Sequence, residues 1–143
     1  YDQVMWLDAI HKRYIQEVGT MNIFFVINDE IITPKLDGAI LAGITRDTLI
    51  KIFKDHEYKV TERPITIDEV IEAGENGQLT EIFGSGTAAV ISAVSHLKYK
   101  DKVITLDTDK RPIGSWAYQY VNGLRNRTIE DPNGWVIPAN PEF

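Results

Sequence analysis

Three short stretches hold residues whose types and spacing suit chemistry. The first is Glu17, which precedes the apolar run Ile23 to Ile27 by only a few positions. A carboxylate at the mouth of a core strand is costly unless a positive or protonated group meets it; the plain alternative is a glutamate at a strand end pointing to solvent. The second is Leu41-Ala42-Gly43-Ile44-Thr45-Arg46-Asp47. Here a glycine precedes a helix whose first turn leaves N–H groups unpaired, so the amides of Ile44 and Thr45 are candidate anion donors. Arg46 suits a phosphate clamp or a pairing with nearby acids, and the whole string also reads as an ordinary helix start. The third is Gly84-Ser85-Gly86-Thr87-Ala88-Ala89. Two glycines let backbone approach a ligand, Thr87 adds a hydroxyl and the alanines leave room, as in half of an anion cradle; a hairpin turn of small residues is the alternative. The string is neither a Walker loop nor a dinucleotide fingerprint.

The elements that must position these residues follow from periodicity. Strands are expected at Val4–Leu7, Tyr14–Glu17, Asn22–Ile27, Glu30–Thr33, Lys59–Arg63, Glu81–Phe83, Val90–Leu97 and Lys102–Leu106, with a tight turn at Asn28-Asp29. The unbroken Ile/Phe/Val run predicts a strand buried on both faces. One helix begins near Thr45, with Leu49, Ile52, Phe53 and His56 on one face. A second, from Thr66, carries a capping box to Glu69, an Ile65–Val70 staple, and Gly74 and Gly77 to stop it. A third covers Gly114–Arg127. Strands clustered first and helices later predict an α+β fold with a mixed, largely antiparallel sheet.

Composition narrows the function classes. The 143 residues suffice for one domain with a real core. A formal net charge of −6 without a basic patch argues against nucleic acid or anionic membranes as partners. No cysteine is present, which excludes disulfides, thiolate metal sites and a thiol nucleophile and fits a reducing, cytoplasmic compartment. The three histidines lack ligand spacing, so no metal site is expected. No apolar run is long enough to span a bilayer, and a soluble protein is expected. The chain begins at Tyr1 without Met and reaches a strand almost at once, which reads as a piece of a longer polypeptide.

In sequence order, Glu17-Val-Gly-Thr-Met-Asn-Ile-Phe-Phe25, Ile32-Thr-Pro34, Leu41-Ala-Gly-Ile-Thr-Arg-Asp47, Phe83-Gly-Ser-Gly-Thr-Ala-Ala-Val-Ile91 and Ile129-Glu-Asp-Pro-Asn-Gly-Trp135 resemble the C-terminal half of branched-chain amino acid aminotransferases. These are pyridoxal-phosphate enzymes of fold type IV. The resemblance runs from Tyr1 to Trp135. It implies a single domain, residues 1–143, forming an open pseudo-barrel with flanking helices that packs on its own N-terminal domain in a homodimer or larger assembly. It also implies residue roles. Glu17 matches the glutamate that bonds the cofactor's pyridine nitrogen, Ile44 and Thr45 the backbone donors to its phosphate, Thr87 a further phosphate ligand and Leu41 a residue packing on the ring. The amide of Ala88 matches a donor to the substrate α-carboxylate. Leucine, isoleucine or valine would exchange amino groups with 2-oxoglutarate, giving a branched 2-oxo acid and glutamate.

Several positions depart from the family pattern. The lysine that forms the Schiff base lies upstream in the family, and Lys12, Lys35, Lys51, Lys54 and Lys59 read as solvated surface residues, so the isolated chain is expected to be inactive. Ala42 and Ala93 stand where proline is frequent, and Ala89 and Ser92 where some members carry a C-x-x-C pair, which excludes a thiol switch. Within the fold, D-amino-acid aminotransferase and aminodeoxychorismate lyase are the alternatives; a non-catalytic phosphate-binding module is another from a different class. The Glu17–Asn22 and Gly86–Ala89 strings and the Trp135 tail favour the branched-chain branch.

Overall fold

The five apolar residues Ile23 to Ile27 are all buried, and they explain the architecture, because a strand without alternation must be covered on both faces. The computed structural model describes residues 1–137. In it, a seven-stranded sheet is built around β3 (Met21–Ile27). One edge of β3 is shared by β2 (Ile15–Val18) and β4 (Glu30–Thr33), and the other is taken along its length by β6 (Leu79–Ser85). β1 (Met5–Leu7) lies outside β2, β5 (Val60–Glu62) pairs parallel with β4, and β7 (Ile91–Ala93) closes on β6. All pairings but β4–β5 are antiparallel, so the sheet is mixed and largely antiparallel, as expected.

Period-2 alternation along β3 sorts its side chains into two cores. Ile23, Phe25 and Ile27 join Ile82 under α2 (Ile67–Glu75), together with Leu97 and Ile104 of a separate hairpin, β8 (His96–Tyr99) and β9 (Lys102–Thr105). Phe24, Val26 and Phe83 face α1 (Ile44–Asp55) and α3 (Pro112–Arg125), which supply Leu49, Ile52, Phe53, Ala117 and Val121.

Turn chemistry fixes the registers. Asn28 and Asp29 both hold positive φ, 50° and 61°, the signature of a type I′ turn between β3 and β4. Gly19, at φ 57°, opens the two-residue turn between β2 and β3 and thereby sets Val18 opposite Met21 and Glu17 opposite Asn22.

Some expectations need correction. The span Val90–Leu97 is two strands, because Val94 N–H still donates to Ile82 whereas Ser95 already accepts from Leu106 N–H, so the chain changes sheets there. The capping box is half formed: Thr66 accepts from Glu69 N–H at 3.1 Å, but the Glu69 side chain pairs with Arg63 instead of returning to Thr66. The third helix starts at Pro112, which fits the first helical turn because it lacks an N–H, and ends before Arg127, which sits at φ 56°. No side chain of the preceding loop caps α3. Glu81 on β6, itself buried, accepts from Ile113 N–H at 2.9 Å and Gly114 N–H at 2.8 Å, placing a carboxylate at the positive end of the helix.

Candidate functional site

The β2–β3 turn sets Glu17 beside Asn22, and the β3–β6 register sets Asn22 beside Ser85. Directly opposed residues of neighbouring strands share a face, so these three polar side chains form one rung at the end of the sheet, on the α1/α3 side. Glu17 is half-buried, and its Oε1 accepts the N–H of Leu41 at 2.9 Å. Among the described residues it has no cationic partner within 4.0 Å. Asn22 is buried and donates through Nδ2 to the Leu41 carbonyl at 2.8 Å. Leu41 is therefore held at both ends of its backbone while its side chain, 69% exposed, stands free.

Two residues further on, Gly43 is the N-cap of α1. It is glycine for a steric reason: a Cβ there would sit 2.2 Å from Asn22 Oδ1. The first intrahelical bond runs from Asp47 N–H to the Gly43 carbonyl, and no side chain caps the helix. The amides of Ile44 and Thr45 thus lie in the uncapped first turn at the positive end of a twelve-residue helix. Ile44 is 81% exposed and Thr45 is buried. Arg46 is committed to other partners. It is buried, donating to the Pro34 carbonyl at 3.0 Å and to Glu62 at 2.8 Å, so of its two readings the pairing with an acid is the one realised.

The second glycine turn leaves β6 directly after Ser85. Thr87, Ala88 and Ala89 form an exposed bend before the buried Val90. Both glycine turns therefore adjoin Asn22, one through Gly43 and the other through the Asn22–Ser85 pair. Ser85 Oγ is buried without a hydrogen-bond partner among the described residues. Such an orphan is costly, and it lies in the rung that the turns flank. The arrangement offers an anionic acceptor at one side and backbone and hydroxyl donors at the other, which fits a ligand with a protonated nitrogen and a distant anion. Pyridoxal phosphate has that polarity.

The site is a shelf open to solvent, as the exposure of Leu41 and Ile44 shows. A concavity of about 840 Å³ lies elsewhere, between Tyr1–Met5 and Ser92–Lys100, and includes none of Glu17, Leu41, Ile44, Thr45, Thr87 and Ala88. Lys12, Lys35, Lys51, Lys54 and Lys59 are all exposed.

Residues 1–97 match the family model described as amino-transferase class IV. The chain belongs to the class IV aminotransferases. Among curated class IV relatives it is similar to the probable branched-chain-amino-acid aminotransferase of Staphylococcus aureus (strain N315), 50% identical over 141 residues, covering 96% of this chain and 39% of that protein. The fold is similar to the crystal structure of Escherichia coli branched-chain amino acid aminotransferase, with a TM-score of 0.80 at 30% identity over 98% of this chain and 42% of that one. It is also similar to the branched-chain aminotransferase of the thermophilic archaeon Thermoproteus uzoniensis with norvaline, with a TM-score of 0.71 at 30% identity over 87% of this chain and 37% of that one. This class IV chain spans about 39% of the length of the curated relatives it matches.

Of the site residues expected from sequence, Glu17, Leu41, Ile44 and Thr45 are brought together by direct contacts or chain adjacency, and Thr87 and Ala88 lie on the neighbouring bend. Sequence reasoning misses Asn22 and Ser85. The Gly19-Thr20 turn is the available signal for Asn22, since a two-residue turn between Val18 and Met21 makes Glu17 and Asn22 partners.

Proposed function

We propose that this chain is the C-terminal, cofactor-binding domain of a pyridoxal-5′-phosphate-dependent branched-chain amino acid aminotransferase, exchanging the amino group of leucine, isoleucine or valine with 2-oxoglutarate. One observation carries the reading: a half-buried carboxylate, Glu17, has one oxygen committed to a backbone N–H and no cation to balance it among the described residues. A protonated pyridine nitrogen meets that need through a charge-assisted hydrogen bond. When bound, the cofactor supplies the electron sink that lets an amino acid lose its α-proton and amino group.

The chain's own residues then divide the work. Glu17 holds a proton on the ring nitrogen by offering its free oxygen as acceptor. The Ile44 and Thr45 amides, with the Thr87 hydroxyl, take the phosphate at the positive end of α1. Leu41 covers the ring with its exposed side chain and excludes water from that face. The Ala88 amide orients the substrate α-carboxylate. The Schiff-base lysine, and most of the pocket for the branched side chain, belong to an N-terminal domain that covers the open shelf; the whole protein is a cytoplasmic homodimer or larger assembly. The 143-residue chain by itself gives no turnover.

The test is a substrate panel on the full-length protein. Saturable uptake of pyridoxal phosphate and transamination of leucine, isoleucine and valine with 2-oxoglutarate are expected. Absence of cofactor uptake, or preference for D-alanine or aminodeoxychorismate over the branched L-amino acids, overturns the reading.

A further inference from the structure

Resting on that reading, we propose that Asn22 is a positioning residue that couples the two ends of the cofactor site through the backbone of Leu41. Its side chain is buried and spent on two tasks. Nδ2 holds the Leu41 carbonyl at 2.8 Å, and Oδ1 lies where a Gly43 Cβ would come within 2.2 Å. The Leu41 N–H is meanwhile held by Glu17 Oε1 at 2.9 Å. A residue gripped at its carbonyl by one side chain and at its N–H by another cannot rotate without breaking a bond. Asn22 thereby holds in place the Leu41 N–H that occupies one oxygen of Glu17 and leaves the other for the ring nitrogen. Gly43 N–H donates to the same Leu41 carbonyl at 2.9 Å, so the turn leading into α1, and with it the Ile44 and Thr45 amides, is set by that one carbonyl as well.

Glu17 and the first turn of α1 come from separate elements, and Asn22 is the side chain that touches the link between them. Asn22 itself is fixed by pairing with Glu17 on one side and Ser85 on the other. Gly43 has φ −68° and ψ 134°, which any residue adopts, so the demand for glycine at this position comes from Asn22 and not from the backbone.

The experiment is a double-mutant cycle in the full-length protein with Asn22→Ala, Gly43→Ala and both together, read by pyridoxal phosphate titration and by hydrogen exchange of the segment 37–45 in the cofactor-free protein. Each single variant is expected to weaken cofactor binding by about tenfold and to accelerate exchange in that segment by a similar factor. The pair is expected to be non-additive: with Asn22 truncated, the clash is gone, the added methyl keeps an ordinary contact with Arg46 Cβ at 3.6 Å, and the second substitution costs less than about twofold. Asn22→Asp, which keeps the shape and removes the donor, is expected to match Asn22→Ala in exchange.

Additive effects in the cycle overturn the proposal, as does exchange in 37–45 unchanged within about twofold. Acceleration spread equally to α3 also overturns it, since Asn22 would then be a general sheet residue. A wild-type protein that takes up no pyridoxal phosphate refutes the cofactor reading alone and leaves the exchange data to judge the coupling.

Discussion

Replacing Glu17 with Gln in the full-length protein separates the carboxylate's charge from its shape. Glu17 Oε1 accepts the Leu41 N–H at 2.9 Å. The amide oxygen of glutamine can keep this bond, which leaves its NH₂ group where the second carboxylate oxygen stood. A donor then faces the ring N–H, and the nitrogen must give up its proton. The hydrogen bond to a charged group is worth about 1.5–3 kcal/mol, or about 10- to 150-fold. Loss of the protonated ring, the electron-withdrawing form, adds to that, so turnover should fall by at least about a hundredfold. Cofactor affinity should fall much less, about tenfold, because the amides of α1 and Thr87 still hold the phosphate. Stability of the cofactor-free protein should stay within about 0.5 kcal/mol, since Glu17 has no cationic partner among the described residues to lose. A coupled assay of glutamate formation, a cofactor titration and a urea melt read the three quantities. Turnover within about threefold of wild type in a variant saturated with cofactor refutes the role of Glu17. A parallel loss of stability refutes the claim that its charge is held for a ligand.

The remaining predictions concern stability and pH. Glu81→Gln turns one of two acceptors beneath α3 into a donor facing the Ile113 or Gly114 N–H, and should cost about 1–3 kcal/mol in a urea melt with the loss concentrated in α3 exchange; a change below about 0.5 kcal/mol contradicts the cap. Ser85→Ala removes a buried hydroxyl without a partner and should leave the cofactor-free protein as stable as wild type or more so, whereas a loss above about 1 kcal/mol would mean that the hydroxyl is satisfied. Desolvation pushes the Asp8 carboxyl up, but the N–H groups of Arg13, His11 and Tyr14 and the His11 ring outweigh it and hold the group well below the usual carboxylate range. The hydrogen bond from Lys59, followed by that from Thr61, depresses Glu30. Carboxyls lowered on folding contribute stability that is full above about pH 4 and lost as pH falls through their folded values; protection of the 8–14 turn, taken relative to the unstructured exchange rate at each pH, should therefore fall on acidification, and Asp8→Asn should remove most of that pH dependence. Wild-type protection that does not change as pH falls, or that falls as steeply in Asp8→Asn, contradicts this.

Much of the fold was legible because local rules and tertiary demands agree. The run Ile23–Ile27 announced a strand covered on both faces, and Asn28-Asp29 announced its turn. What escaped depended on partners distant in sequence. The parallel pairing of β4 with β5, the break of Val90–Leu97 at Ser95 and the diversion of Glu69 to Arg63 are each decided by an element that local pattern does not reveal. The site divides the same way. Glu17 was visible as a charge out of place, and the two glycine turns as backbone able to approach a ligand. Asn22 lay in the same string but gained meaning only from a hairpin register, and Ser85 only from the antiparallel pairing of β3 with β6.

That pairing also explains how an open shelf can be rigid. Three alternate rungs of β3 and β6 share one face: Asn22 with Ser85, Phe24 with Phe83, and Val26 with Glu81. The first belongs to the site, the second is a stacked aromatic pair with centroids 5.2 Å apart, and the third holds the start of α3. Because side chains alternate strictly along a strand, a slip of one residue would exchange all three rungs for the opposite face. The aromatic pair, fully buried against Phe53 of α1, makes that slip prohibitive. The polar residues at the mouth are thus held in register by apolar packing one rung away. A substitution such as Phe83→Leu, which touches no ligand, should for that reason disturb the site through Asn22 before it unfolds the chain.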